Sequence, residues 1–220
     1  MAIIADIREH VTLPILLTIR RLSEGGYFFG EEVERLAYFK SLLPAVDAVD
    51  IELYDTQDIR EQIIEHAHKQ SKTVVLSYHN FRRTPSERRF SEIVEDAVTV
   101  GGDIVKIAVM AEKVEDVELL MKFTTDFNAR EILLATMSMG DLGRVTRAVN
   151  PFLGSCLTYG YVGEVPTTPG QLPVRELRAV LDLFPGQRIP VASLDVVYGL
   201  LKKVAHKATS SPVRESAGAV

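Results

Sequence analysis

Ile104-Val105-Lys106-Ile107-Ala108-Val109-Met110 is a short, β-branched run with a lysine in its middle. Length and composition predict a strand buried on both faces, not a helix. A lysine is rarely buried without a partner, because stripping its ammonium of water is costly unless it pairs or gives up its proton. Desolvation also lowers an amine's pKa, and the neutral amine attacks carbonyl carbon. Taken alone, Lys106 reads more simply as a snorkelling or salt-bridged side chain near a strand end. The runs around it decide the matter.

Seven strand-like runs are found, at 3–8, 14–20, 48–53, 73–79, 104–110, 131–137 and 155–162. Helical patterns lie between most of them, at 31–43, 57–70, 86–100, 113–127, 141–149 and 173–184. Such alternation predicts βαβ units and a parallel sheet. Residues i and i+2 of a strand share a face. One face collects Asp6, Arg8, Thr18, Arg20, Asp50, Glu52, Ser77, His79, Lys106, Thr136, Ser138 and Thr158. The other reads Ile, Val and Leu from strand to strand, as covering helices require. A polar inner face toward the carboxyl ends of the strands is what a (β/α)8 barrel presents at its active site. The expected fold is therefore a (β/α)8 TIM-type barrel over residues 1–207. The link from Arg8 to Pro14 is too short for a crossover helix, so the first βα unit is expected to be lacking or truncated. An open barrel exposes strand edges, which leaves an upstream segment or a partner to close it.

Composition excludes other classes. With 46% hydrophobic and 25% charged residues the chain reads as a soluble globular protein. No apolar run approaches the roughly 18 residues of a membrane span, and the start carries no basic region of a signal peptide. One cysteine, Cys156, rules out an intramolecular disulfide and suggests a reduced, cytoplasmic setting. A net charge of −5 without a basic stripe argues against nucleic-acid binding. No glycine-rich phosphate motif follows the first strand, and the histidines show no metal spacing, so no metal or cofactor is expected.

Several blocks carry a family resemblance. Asp50-Ile51-Glu52-Leu53 is followed twenty residues on by Val74-Val75-Leu76-Ser77-Tyr78-His79-Asn80. Thr18-Ile19-Arg20 precedes Glu24-Gly25-Gly26, and Val105-Lys106-Ile107-Ala108-Val109 is followed by Met137-Ser138-Met139-Gly140, Arg147 and Pro169-Gly170-Gln171. In order and spacing these blocks, over about residues 3–184, resemble type I 3-dehydroquinate dehydratase. The resemblance implies dehydration of 3-dehydroquinate in the shikimate pathway, which leads to aromatic amino acids, by a cytoplasmic homodimer. It implies that Lys106 forms a Schiff base with the substrate ketone. His79 would move protons, oriented by Glu24 and Asp50. Arg20 and Arg147 would bind substrate oxygens, Arg147 taking the carboxylate with help from Gln171. Asp6 and Arg8 stand where the family has a Glu-x-Arg pair, and Thr167 where a serine is common.

The chemistry suits these groups. A protonated imine is an electron sink for the carbanion formed when a proton α to the ketone leaves, and a near-neutral histidine moves such a proton. Arg20 and Arg147 should lower the Lys106 pKa, while Asp50 and Glu52 should raise it. Singly, each residue has a plainer reading: His79 a hydrogen-bonded core histidine, Arg147 an exposed helix arginine, Met137 and Met139 core packing. Two rival readings are another Schiff-base barrel, such as a class I aldolase, and a non-catalytic or incomplete barrel. The Gly- and Pro-rich stretch 163–171 is expected to close over substrate. A further amphipathic helix is expected near 191–206, with a disordered tail at 208–220.

Overall fold

The computed structural model describes residues 2–127, 130 and 132–183. Helix α1 (Ala2–His10) leads into strand β1 (Leu16–Thr18), and helix α2 (Glu32–Leu42) carries the chain to β2 (Ala48–Glu52). Three further crossovers follow: α3 (Gln57–Lys69) to β3 (Thr73–Asn80), α4 (Glu87–Thr99) to β4 (Ile104–Met110), and α5 (Val114–Phe127) to β5 (Leu133–Met139). The five strands pair in chain order, every neighbouring pair parallel. Helix α6 (Gly140–Leu153) then leads to β6 (Gly160–Tyr161), which pairs in parallel with β7 (Leu172–Pro173), just before α7 (Val174–Asp182). Among the described residues the five-stranded sheet does not close on itself, and β6–β7 forms a separate pair.

Local chemistry sets the helix starts. Ser86 accepts the backbone N–H of Arg89 at the head of α4, and Glu31 and Glu34 form a reciprocal capping box on α2. The outer sheet face carries the core. Ile51, Leu76, Val105 and Leu134 stand in register across four strands and pack with Phe39, Ile63, Phe90 and Phe123 of the helices. Each such fully buried side chain contributes roughly 1.5–3 kcal/mol.

The first predicted strand is wrong. Residues 3–8 lie in α1, where Ala, Glu and Arg favour helix and Ile4 turns to the core while Ile3 and Ile7 stay exposed. Three polar residues also leave the inner face. Thr136 and Ser138 are in register with Ile107 and Val109, so they face the helices. There Thr136 Oγ1 meets Thr124 and accepts from Asn150, and the Ser138 N–H donates to Thr146. The run 155–162 holds only the two residues of β6 and a lone bridge from Ser155 to Leu134, so strict alternation fails and Thr158 faces α6.

Helix α6 runs four residues past its predicted end and contains Pro151. Proline has no N–H to offer the carbonyl four residues back, here Arg147. Thr158 Oγ1 donates to that carbonyl instead, at 2.7 Å. The helix therefore survives its proline, and the turn holding Arg147 is tied to the chain just before β6. The helix expected near 191–206 and the tail at 208–220 lie outside the described residues.

Candidate active site

At the carboxyl ends of β1 to β5 lies a pocket of about 570 Å³. The register fixes its floor: Ser77, Lys106 and Ala135 are neighbours on three strands, pointing away from the helices. Lys106 is only 8% exposed, and its Nζ donates to Asp50 Oδ2 at 2.8 Å. Asp50 also accepts from Arg20 Nη2 at 2.5 Å and from Ser77 Oγ at 2.7 Å. Burial alone would push this carboxyl up, but Lys106 and Arg20 hold it well below the usual range. Burial lowers the Lys106 pKa, Arg20 and Arg147 add to the effect, and Asp50 opposes it.

His79, the last residue but one of β3, lies beside this pair. Its Nδ1 lies 2.9 Å from Glu24 Oε2, while Asp50 reaches the imidazole by charge alone. The orienting contact is thus Glu24's, and Asp50 serves the lysine. Burial, then Arg20 and Lys106, keep the His79 pKa well below its ordinary value. Glu24 sits in a 3₁₀ turn closed by Gly25 at φ 78°, a left-handed position packed so tightly on Phe81 that a Cβ would lie 2.4 Å from the ring. Phe81 in turn stacks on His79, 15° from parallel. Burial first, and then Glu52, raise the Glu24 pKa to about 7.

That shift has a consequence for stability. The folded Glu24 binds its proton more tightly than the unfolded chain does, so its contribution is fully present below about pH 4.5 and lost as pH rises through 7. Glu24→Gln should raise stability at pH 8 by on the order of 2 kcal/mol, with no gain at pH 4. Thermal melts of both chains at the two pH values check this; an equal shift at both would mean that Glu24 ionisation is not the source.

Arg147 completes the pocket from α6. It is 2% exposed, and among the described residues no carboxylate lies within ion-pair distance of it. Among the described residues its contacts are neutral: the Tyr159 carbonyl at 3.5 Å, Thr168 Oγ1 at 3.2 Å and the Met137 sulfur at 3.6 Å, with Nε unpartnered. Burial lowers its pKa to about 10. A buried guanidinium without a counter-charge is a strong site for an anion. Thr167 and Gln171 close the rim, the Thr167 N–H and hydroxyl both donating to Gln171 Oε1. Gly170, at φ 75°, seats this loop, since a Cβ there would lie 2.3 Å from the Gly140 carbonyl.

Of the expected site residues, Lys106, His79, Glu24, Arg20, Arg147, Thr167 and Gln171 line one cavity, with Asp50 directly beneath. Asp6 and Arg8 do not belong to it. Asp6 is exposed on α1, and Arg8 binds Asp47 and the carbonyls of Leu13 and Ala45. A helix in place of a strand points them away from the strand ends. Glu52 lies below the pocket and holds Arg20, the Arg21 N–H and Arg35. Sequence reasoning missed Met137, Met139, Phe81 and Tyr159. The two methionines alternate from Ala135, the register partner of Lys106, so strand periodicity alone carried that signal. Tyr159 gave none, because it lies just before the two-residue β6, outside any regular strand.

Parallel strands, crossover helices and a charged pocket at the strand ends define an enzyme of the βα-barrel class. A family model described as Type I 3-dehydroquinase matches residues 1–187. The 3-dehydroquinate dehydratase of Methanosarcina barkeri is 39% identical over 82% of this chain and 76% of its own length. The solved type I 3-dehydroquinate dehydratase of Clostridium difficile superposes with a TM-score of 0.78 at 29% identity, over 83% of this chain and 73% of the other. That of Geobacillus kaustophilus gives 0.72 at 35% identity, over 77% and 67%. The chain belongs to the type I 3-dehydroquinase family and is an enzyme of the 3-dehydroquinate dehydratase class.

Proposed function

We propose that this chain dehydrates 3-dehydroquinate to 3-dehydroshikimate through an imine on Lys106, with His79 as the proton carrier. The observation that carries this reading is the pairing of Lys106 with Asp50 beside the His79–Glu24 pair, in a pocket that also holds an uncompensated Arg147. The Lys106 amine adds to the ketone carbon and water leaves, giving a protonated imine. His79, neutral because its pKa is depressed, donates an Nδ1–H hydrogen bond to Glu24, which ionises as pH rises through about 7, and keeps Nε2 free as a base. Nε2 takes the α proton, and the electron pair moves into the imine to form an enamine. The enamine expels the hydroxyl as the imidazolium returns the proton, and water releases the product. Arg147 holds the substrate carboxylate with help from Gln171. The Clostridium difficile relative was solved with covalently modified comenic acid, which suits a site that bonds to its ligand.

Incubating the chain with 3-dehydroquinate should yield the conjugated enone, followed by its ultraviolet absorbance, and borohydride should leave one reduced adduct on Lys106, read by peptide mass. A folded chain that gives neither would overturn the reading. Arg147→Met should weaken substrate binding about 10²-fold, as loss of a charge-assisted pair does, while raising the melting temperature of the empty protein. An unchanged KM would take the carboxylate away from Arg147.

A further inference from the structure

Tyr159 has no part in the scheme above, yet its ring centroid is 4.5 Å from Lys106 Nζ. The residue is anchored from α6: its carbonyl accepts from Arg147 Nη1, and the neighbouring Thr158 donates to the Arg147 carbonyl. Its hydroxyl is buried and has no hydrogen-bond partner among the described residues. Buried tyrosines normally satisfy that group, so the hydroxyl does not hold the ring in place. What the ring does meet is a cation. The face of an aromatic ring carries negative charge and attracts an ammonium most strongly where water is excluded.

This attraction differs in kind from the Asp50 hydrogen bond. An ammonium has three N–H groups, but a protonated imine has one. Asp50 can keep that one, whereas a ring face needs none and attracts the positive charge wherever it spreads. We propose that Tyr159 is a positioning residue whose ring face holds Lys106 as the ammonium and then as the protonated imine. The inference rests on the imine reading of the site.

The test keeps shape constant and removes charge from the ring face. Phenylalanine at position 159 is the reference, and phenylalanines carrying progressively more ring fluorine are installed there in the full chain. Two quantities are read: the fraction captured by borohydride with 3-dehydroquinate, and the pH midpoint of Lys106 reductive methylation without substrate. The charged and titratable groups facing Lys106 are Asp50 of β2, Arg20 beyond β1, the neutral His79 of β3 and Arg147 of α6, and all stay constant. As the ring loses negative charge the cation loses stabilisation, so the midpoint moves down. From reference to fully fluorinated ring, the shift should be about one pH unit and the captured fraction at limiting substrate should fall about tenfold. A packing role would not follow fluorine count. A flat series in a chain whose wild type forms the adduct would overturn the inference alone. No adduct in the wild type would overturn the imine reading and the inference together.

Discussion

Lys106→Ala eliminates both turnover and borohydride capture, with a loss on the order of 10⁵-fold or more, the scale seen when a covalent nucleophile is removed. The expectation rests on the position of Lys106, 2.8 Å from Asp50 on the pocket floor. Folding should survive, because Asp50 keeps Arg20 and Ser77 when the lysine is gone. Lys106→Arg is the sharper control. It retains a cation for Asp50, but a guanidinium stays protonated and forms no imine, so it too should fail to capture substrate. Turnover near the wild-type rate in either variant would remove the imine from the mechanism.

His79→Ala separates the two halves of the chemistry. Imine formation at Lys106 needs no imidazole, so borohydride should still label the variant. Proton transfer does need it, and turnover should fall by about 10²- to 10⁴-fold, the usual worth of a positioned acid–base group. Mass spectrometry of the trapped adduct and steady-state absorbance on one sample read the two steps independently. Wild-type turnover would move the proton to another group. Loss of labelling along with turnover would mean that His79 also takes part in forming the imine.

Much of this site was legible because parallel strands impose a period of two. Lys106, Ser77 and His79 could be placed on the inner face from spacing alone, and their register bears this out. The same rule failed where polarity was read in place of register. Thr136 and Ser138 look like pocket residues but serve the helices, whereas Met137 and Met139 look like core and line the pocket. Arg147 was placed at the site by resemblance, since an arginine in a helix reads as solvated. Its burial follows from the packing of α6 on β5, a contact that no local pattern encodes. Asp6 and Arg8 failed differently. A nine-residue stretch containing three isoleucines suits either period, and tertiary packing chose the helix. The βα succession of the barrel class was legible; which of its distant edges pair was not, because such pairing leaves no mark on the local sequence, and among the described residues the five-stranded sheet stays open.

If Arg147 takes the substrate carboxylate as proposed, its guanidinium, which meets no carboxylate among the described residues, should tie the endurance of the folded chain to the supply of its ligand. An empty pocket keeps a desolvated positive charge that meets no carboxylate among the described residues, and a carboxylate that enters should relieve it. Ligand at a hundredfold excess over Kd adds about 2.7 kcal/mol to the folded state. That is a large share of the 5–15 kcal/mol that separates a typical native protein from its unfolded chain. Chains that hold ligand therefore spend less time unfolded and exposed to proteases.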